Sequence, residues 1–226
     1  MSSATELCRV ARPRAFDETQ ALEAAMDCFW ERGYKATSVR DLTERMGIAG
    51  PSLYNAFSDK RSLFSCALEQ YCSRLTYARI ERIEAQLPPH ARIAAFLAEV
   101  VDKSVDDQQR RGCFLINSAI DVAPHDAELG AIIAGHLEAV RRFFERSLLA
   151  ARQVGSVATG IDCSREADHL MAVLLGIRVL ARTRPERSLL EGIVEAALAP
   201  LGLASPVGSG HGRQKRQPAG RGQADD

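Results

Sequence analysis

An all-α fold in two parts is predicted for this 226-residue chain, and three observations carry the prediction. Apolar residues recur at three- and four-residue spacing along nearly the whole sequence. Strand-like alternation bounded by hairpin turns is missing, and no repeat of solenoid length is found. Capping residues stand where the periodic runs begin, with glycine or proline where they stop. With 46% hydrophobic and 26% charged residues, the chain can bury a good core. A formal net charge of +0 gives no global sign of a nucleic-acid partner, so any such partner must be held by a local patch. The strongest apolar stretch, "MAVLLGI" (Met171 to Ile177), is too short to span a membrane, and the N-terminus lacks the apolar run of a secretory signal. Six cysteines without a CxxC pair fit a reduced, cytoplasmic setting better than a disulfide scaffold.

The elements follow in order. Asp17 with Gln20 makes a capping box for a first helix, with Phe16 stapled onto Ala21. Leu22, Ala25, Met26 and Phe29 then form an apolar face that ends at Gly33. Ser38 and Asp41 form a second box, opening a helix that carries Val39, Leu42 and Met46, and Gly47 supplies a sharp turn. Gly50 and Pro51 fall in the first turn of the next helix, where a missing N–H does no harm. That helix has barely two turns and cannot be stable alone. Two short helices joined by a tight turn and packed on a preceding helix are the helix-turn-helix layout, whose second helix enters the DNA major groove. Leu53 and Phe57 anchor it inward, leaving Ser52, Tyr54 and Asn55 outward. Asp59 caps the following helix, so Lys60 stands at a positive helix end suited to a phosphate. An ordinary helical corner with a solvated polar face is the alternative for the pattern taken alone.

The whole stretch from Phe16 to Tyr71 resembles the N-terminal domain of the TetR family of transcriptional regulators. "CFWERGYKATSV" leads into the motif, "LTERMGI" runs through the turn and "SLYNAFSDKRSLF" leaves it. The resemblance implies an all-α homodimer: an N-terminal three-helix helix-turn-helix domain, plus a larger helical ligand-binding and dimerisation domain. By position it assigns Ser38, Tyr54 and Lys60 to DNA phosphates and Ser52 and Asn55 to the groove, with Arg40 and Pro51 completing the DNA-binding set. Family members often carry a basic residue where this chain has Gly50, and the recognition helix here has no Lys or Arg. Arg9, Arg12, Arg14, Arg40 and Arg45 are the candidates to compensate, the first three on an arm able to reach a minor groove.

Beyond Ser62 one long helix is expected to about Leu87, then helices over about 90–107, from near Cys113, to about Val154, over 165–182 and over 186–201. "LMAVLLGIRVL" is apolar nearly all round and needs burial on two sides. With the final helix it is expected to form a four-helix dimer interface through Leu170, Leu174, Ile177, Leu190, Ile193 and Val194. "GCFLINSAIDVAPHD" looks like the helix that lines the effector cavity in a TetR subgroup, some members of which sense electrophiles with a cysteine near this point. Helical face and that resemblance give the effector-contact candidates Tyr71, Leu75, Phe96, Val100, Cys113, Phe114, Asn117 and Leu174. Cys113, at a helix start beside Arg110 and Arg111, has a setting that favours a thiolate, and a small buried apolar residue is the alternative.

The five histidines show no metal-ligand spacing, and no nucleophile elbow, phosphate loop or dinucleotide fingerprint occurs, so neither cofactor nor enzymatic activity is expected. The expected organisation is a DNA-binding domain over 1–61 with an arm over 1–15, an effector-binding and dimerisation domain over 62–203, and a glycine-rich disordered tail over 204–226. The expected function is a repressor released from double-stranded operator DNA by a small-molecule effector. The alternatives are an electrophile-sensing repressor using Cys113, or a helical small-molecule binder without DNA function.

Overall fold

The computed structural model describes residues 17–203, so the predicted arm, the Phe16 staple and the tail lie outside the described residues. Within them every regular element is helical. Helix α1 (Glu18–Arg32) is capped by Asp17, whose carboxylate accepts the N–H groups of Thr19 and Gln20. Helix α2 (Val39–Met46) carries the reciprocal box: Asp41 N–H donates to Ser38 Oγ at 3.1 Å, and Ser38 N–H to Asp41 Oδ2 at 2.8 Å. Those Ser38 hydrogen bonds hold the Asp41 carboxyl down at about 2. Gly47 (φ 65°, ψ 30°) takes the left-handed turn that a side chain would strain, and α3 (Gly50–Phe57) follows at once. Leu53 and Phe57 seat α3 on the core.

The long helix expected after Ser62 begins earlier and is not uniform. It runs as α4 (Lys60–Tyr71), a π-helical stretch over Cys72–Tyr77, and α5 (Ala78–Gln86). The widened turns let consecutive Tyr71 and Cys72 both face inward and re-phase the buried face onto Arg79, Ile80 and Ile83. Helices α6 (Pro89–Asp106), α7 (Phe114–Asp121), α8 (Ala127–Gln153), α9 (Cys163–Thr183) and α10 (Arg187–Leu198) complete the fold, with a short 3₁₀ turn at Ala199–Leu201. Asp126 caps α8 and Asp162 caps α9, which starts two residues before its expected position.

Two buried clusters result. One joins α1 to α4 with Phe114, Leu115 and Val122 of the α7 region and Leu129 and Ile133 of α8. The other joins α5, α6, the later part of α8, α9 and α10. Packing crosses the expected boundary after residue 61: Leu63, Phe64, Ala67 and Leu68 of α4 share a buried cluster with the helix-turn-helix. Phe64 is the hub, with edge-on ring contacts to Phe29 (5.2 Å), Tyr34 (4.8 Å) and Phe114 (5.5 Å).

The residues expected at the two-fold contact face inward in the single subunit. Leu170, Leu174, Ile177, Leu190 and Val194 are buried inside the chain's own second core, and Ile193 packs against it. They hold α9 and α10 to their own subunit. The outward side of α9 carries Ala172, Leu175, Gly176 and Val179 instead, with Val179 49% exposed. Leu189, Gly192 and Ala196 are the corresponding positions of α10.

Candidate nucleic-acid interface

The recognition surface is built by burial of one side of α3. Leu53 is fully buried and Phe57 nearly so, which turns Tyr54 (50% exposed) and Asn55 outward, with Ser52 half-buried and Pro51 exposed at the first turn. Ala49 caps α3 without a side-chain bond, so the helix start presents backbone N–H groups rather than a carboxylate. Ser38 is exposed at the start of α2, the second of the two expected phosphate-facing helix ends.

Lys60 is more constrained than its sequence position suggests. Its ammonium lies 4.3 Å from the Tyr34 ring centroid, and partial burial lowers its pKa. The neighbouring Asp59 carboxylate accepts the Ser62 N–H at 2.6 Å, which takes up one of the free N–H groups at the start of α4. Of the basic residues expected to compensate for Gly50, Arg9, Arg12 and Arg14 lie outside the described residues, and the other two have ion-pair partners. Arg40 pairs with Glu44 at 2.8 Å and Arg45 with Glu31 at 2.7 Å, while Arg32 pairs with Asp41 at 2.6 Å. Lys35, which the sequence reading passed over, stands exposed on the α1–α2 turn beside Ser38. Its position in "GYKATS", between helix end and capping box, was the available signal.

The helix-turn-helix is fastened to the rest of the chain by charge as well as by rings. Arg61 makes a bidentate pair with Asp126, the α8 cap, at 2.6 and 2.8 Å, and a further bond to Glu128 at 2.8 Å. That pairing holds the Asp126 carboxyl well below the usual carboxylate range and raises Arg61. The Arg111 guanidinium lies 4.2 Å from the Trp30 ring centroid and faces Asp27 and Asp107, so it does not sit on the Cys113 thiol as expected. A groove of about 360 Å³ runs along this junction, between Leu22, Phe57, Arg61, Gln70 and Leu129.

The effector candidates separate into two groups. Tyr71, Cys113 and Phe114 come together: Tyr71 donates its hydroxyl to Cys113 Sγ at 3.4 Å, and its ring lies edge-on to Phe114 at 5.6 Å. Burial pushes the Tyr71 phenol well above its ordinary value. Leu75 packs on this first cluster. Phe96, Val100 and Leu174 belong to the second. Asn117 is held by the Arg111 carbonyl and by Arg182, at the edge of a 100 Å³ pocket beside Trp30.

Two outward polar positions on a short helix, presented by a left-handed glycine turn and locked to a larger helical body, define a helix-turn-helix DNA-binding regulator. Known proteins agree. The profile of the tetR family of bacterial regulatory proteins matches residues 21–66, and that of the tetracyclin repressor-like C-terminal domain matches residues 89–197. The uncharacterized HTH-type transcriptional regulator YezE of Bacillus subtilis is 31% identical, over 85% of this chain and 100% of its own length. The HTH-type transcriptional repressor ComR of Escherichia coli is 28% identical over 85% of this chain and 90% of its own. A solved structure of a cysteine-substituted CifR, complexed with 26 base pairs of operator DNA, is 32% identical with a TM-score of 0.76, covering 84% of this chain and 100% of that one. The chain belongs to the TetR family of transcriptional regulators. No helix among the described residues is long and apolar enough to cross a membrane.

Proposed function

We propose that this regulator is a homodimeric repressor, that α3 reads the operator, and that a small molecule bound in the helical body releases it. The observation that carries the reading is α3 itself: Leu53 and Phe57 are spent on the core, so Tyr54 and Asn55 are left exposed on its outer side. In this reading Ser52 and Asn55 face base edges, while Ser38, Arg40, Pro51, Tyr54 and Lys60 lie along the backbone, joined by the exposed Lys35. A supporting fact is that ComR is a transcriptional repressor and the CifR structure holds double-strand operator DNA.

A gel-shift titration over a salt series tests this on the promoter beside the chain's own gene. Asn55→Ala should cost roughly 1–3 kcal/mol at particular base pairs. Lys60→Ala and Lys35→Ala should instead weaken binding to operator and random DNA alike and flatten the salt slope, because a phosphate contact carries no sequence information. Equal loss on both DNAs for Asn55→Ala would take it out of the base-reading set.

The Tyr71–Cys113 contact favours a second reading, in which the partly buried Cys113 thiol is itself the trigger. An electrophile such as N-ethylmaleimide should then release operator DNA from the wild-type protein and leave Cys113→Ser bound. Release of both alike would return Cys113 to a packing role.

A further inference from the structure

Two arginines at the second core are incompletely partnered, Arg79 buried and Arg178 partly buried. Arg79 of α5 has a side chain only 7% exposed, with its guanidinium 5.4 Å from the Phe96 ring centroid. Its Nε lies 3.3 Å from a Glu99 oxygen but outside hydrogen-bonding geometry, and is buried without a hydrogen-bond partner. Glu99 is already committed: both its oxygens accept from Arg82 Nη2, at 2.6 and 2.7 Å. Arg178 enters from α9, and its hydrogen bond among the described residues goes to a neutral group, Ser104 Oγ, at 3.1 Å. Ser104 donates its own proton to the Val100 carbonyl at 2.7 Å, so it offers Arg178 only a lone pair. Arg79 over Phe96 and Arg178 on Ser104 thus stand at the two ends of one stripe of α6, Phe96–Val100–Ser104, whose members are four residues apart. They sense each other: after burial, the Arg178 charge is the next cause lowering Arg79, and Lys103 on the same helix is lowered by burial and then by Arg79. A single shared carboxylate does not balance that set, and an uncompensated interior cation is costly unless something pairs with it.

We infer that Arg79 and Arg178 form the head-group site for an anionic effector, a carboxylate with an apolar body that lies along Phe96 and Val100. Carboxylate oxygens are matched to two guanidinium forks, one from α5 and one from α9, and the apolar stripe beneath takes the rest of the molecule. The inference rests on the effector-controlled reading above and names the ligand class for it. It also gives the ligand a direct hold on the long helix, because Arg79 lies just beyond the π-helical stretch that follows α4.

The test uses the full chain, its operator and a ladder of straight-chain fatty acids from butyrate to laurate plus benzoate, each against its primary amide at equal ionic strength. The acids should raise the Tm and release operator DNA, and the matched amides should not. Arg178→Met and Arg79→Met should each weaken the response to acid by roughly ten- to a hundredfold, the effect of removing a charged hydrogen-bonding partner. Arg178→Met should fold at least as stably as the wild type without ligand, since it removes an unbalanced charge. Acids and amides acting alike, no acid acting, or an unchanged response in both variants would overturn the assignment. Operator binding by the ligand-free protein is scored in the same titration. Its loss would sink the regulator reading, whereas its persistence with no acid response sinks only the charge assignment.

Discussion

Phe114→Ala should destabilise the chain by about 3–5 kcal/mol, the range for emptying a fully buried aromatic site. Phe114 is 2% exposed and lies edge-on to both Phe64 and Tyr71, so its removal opens a hole where α7 meets α4. The cavity cannot collapse easily, because Phe64 is pinned on its other side by Phe29 and Tyr34. Thermal or urea unfolding measures the loss directly. The consequence for regulation is separable from it. Phe114 follows Cys113 in the chain and touches α4, the helix that begins at Lys60 beside the recognition helix. At a temperature where the variant is still folded, its operator affinity should remain near the wild-type value, while the effector's power to lower that affinity should shrink. Effector and DNA must weaken each other by the same factor, so the same coupling is read by titrating either one in the presence of the other. An undiminished coupling in folded Phe114→Ala would place the transmission elsewhere, with the Arg61–Asp126 pair the next contact to break.

The helix-turn-helix could be read from sequence because local rules decide it. The Ser38–Asp41 box, the left-handed Gly47, Pro51 in a first turn and the Leu53–Phe57 spacing each act within a few residues, and each stands as expected. What could not be read depends on partners far apart in the chain. The ion pair that occupies Arg45 is one case, since Glu31 comes from a different helix. The π-helical stretch at Cys72–Tyr77 is another, since "CSRLTY" contains no glycine or proline to mark it, and only the packing of both Tyr71 and Cys72 calls for it. The effector candidates chosen by helical face divided between two cores for the same reason. The arginines at the second core were visible in principle. Arg178 is the one charge in "LMAVLLGIRVL", and a lone charge in an apolar run needs an explanation that periodicity does not supply.

Val179→Glu on the outer stripe of α9 should leave the fold intact, produce monomers and lower operator affinity by roughly 10²–10⁴-fold, the gain that linking two binding modules provides. Leu174→Asp and Ile177→Asp should behave differently. Both side chains are buried in the second core, so a carboxylate there should unfold the subunit before any interface is tested. The outer stripe has the spacing of an interface. Ala172, Leu175 and Val179 recur at helical spacing on the side that the chain's own core leaves free, and Gly176 lets a partner backbone approach closely. Leu189, Gly192 and Ala196 continue the surface on α10, so two helices from each subunit can meet across a two-fold axis. A second subunit is what α3 requires, because two turns of helix with a neutral outward face have few contacts to spend on specificity. Two such helices, held about one helical turn of DNA apart, read a near-palindrome that neither could hold alone. Light scattering at micromolar concentration, circular dichroism and a gel shift on the same preparations separate the outcomes. A folded Val179→Glu that remains dimeric and binds operator normally would move the interface off this stripe. A folded, monomeric Ile177→Asp would show that the side chain has an outward role which its burial in a single subunit conceals.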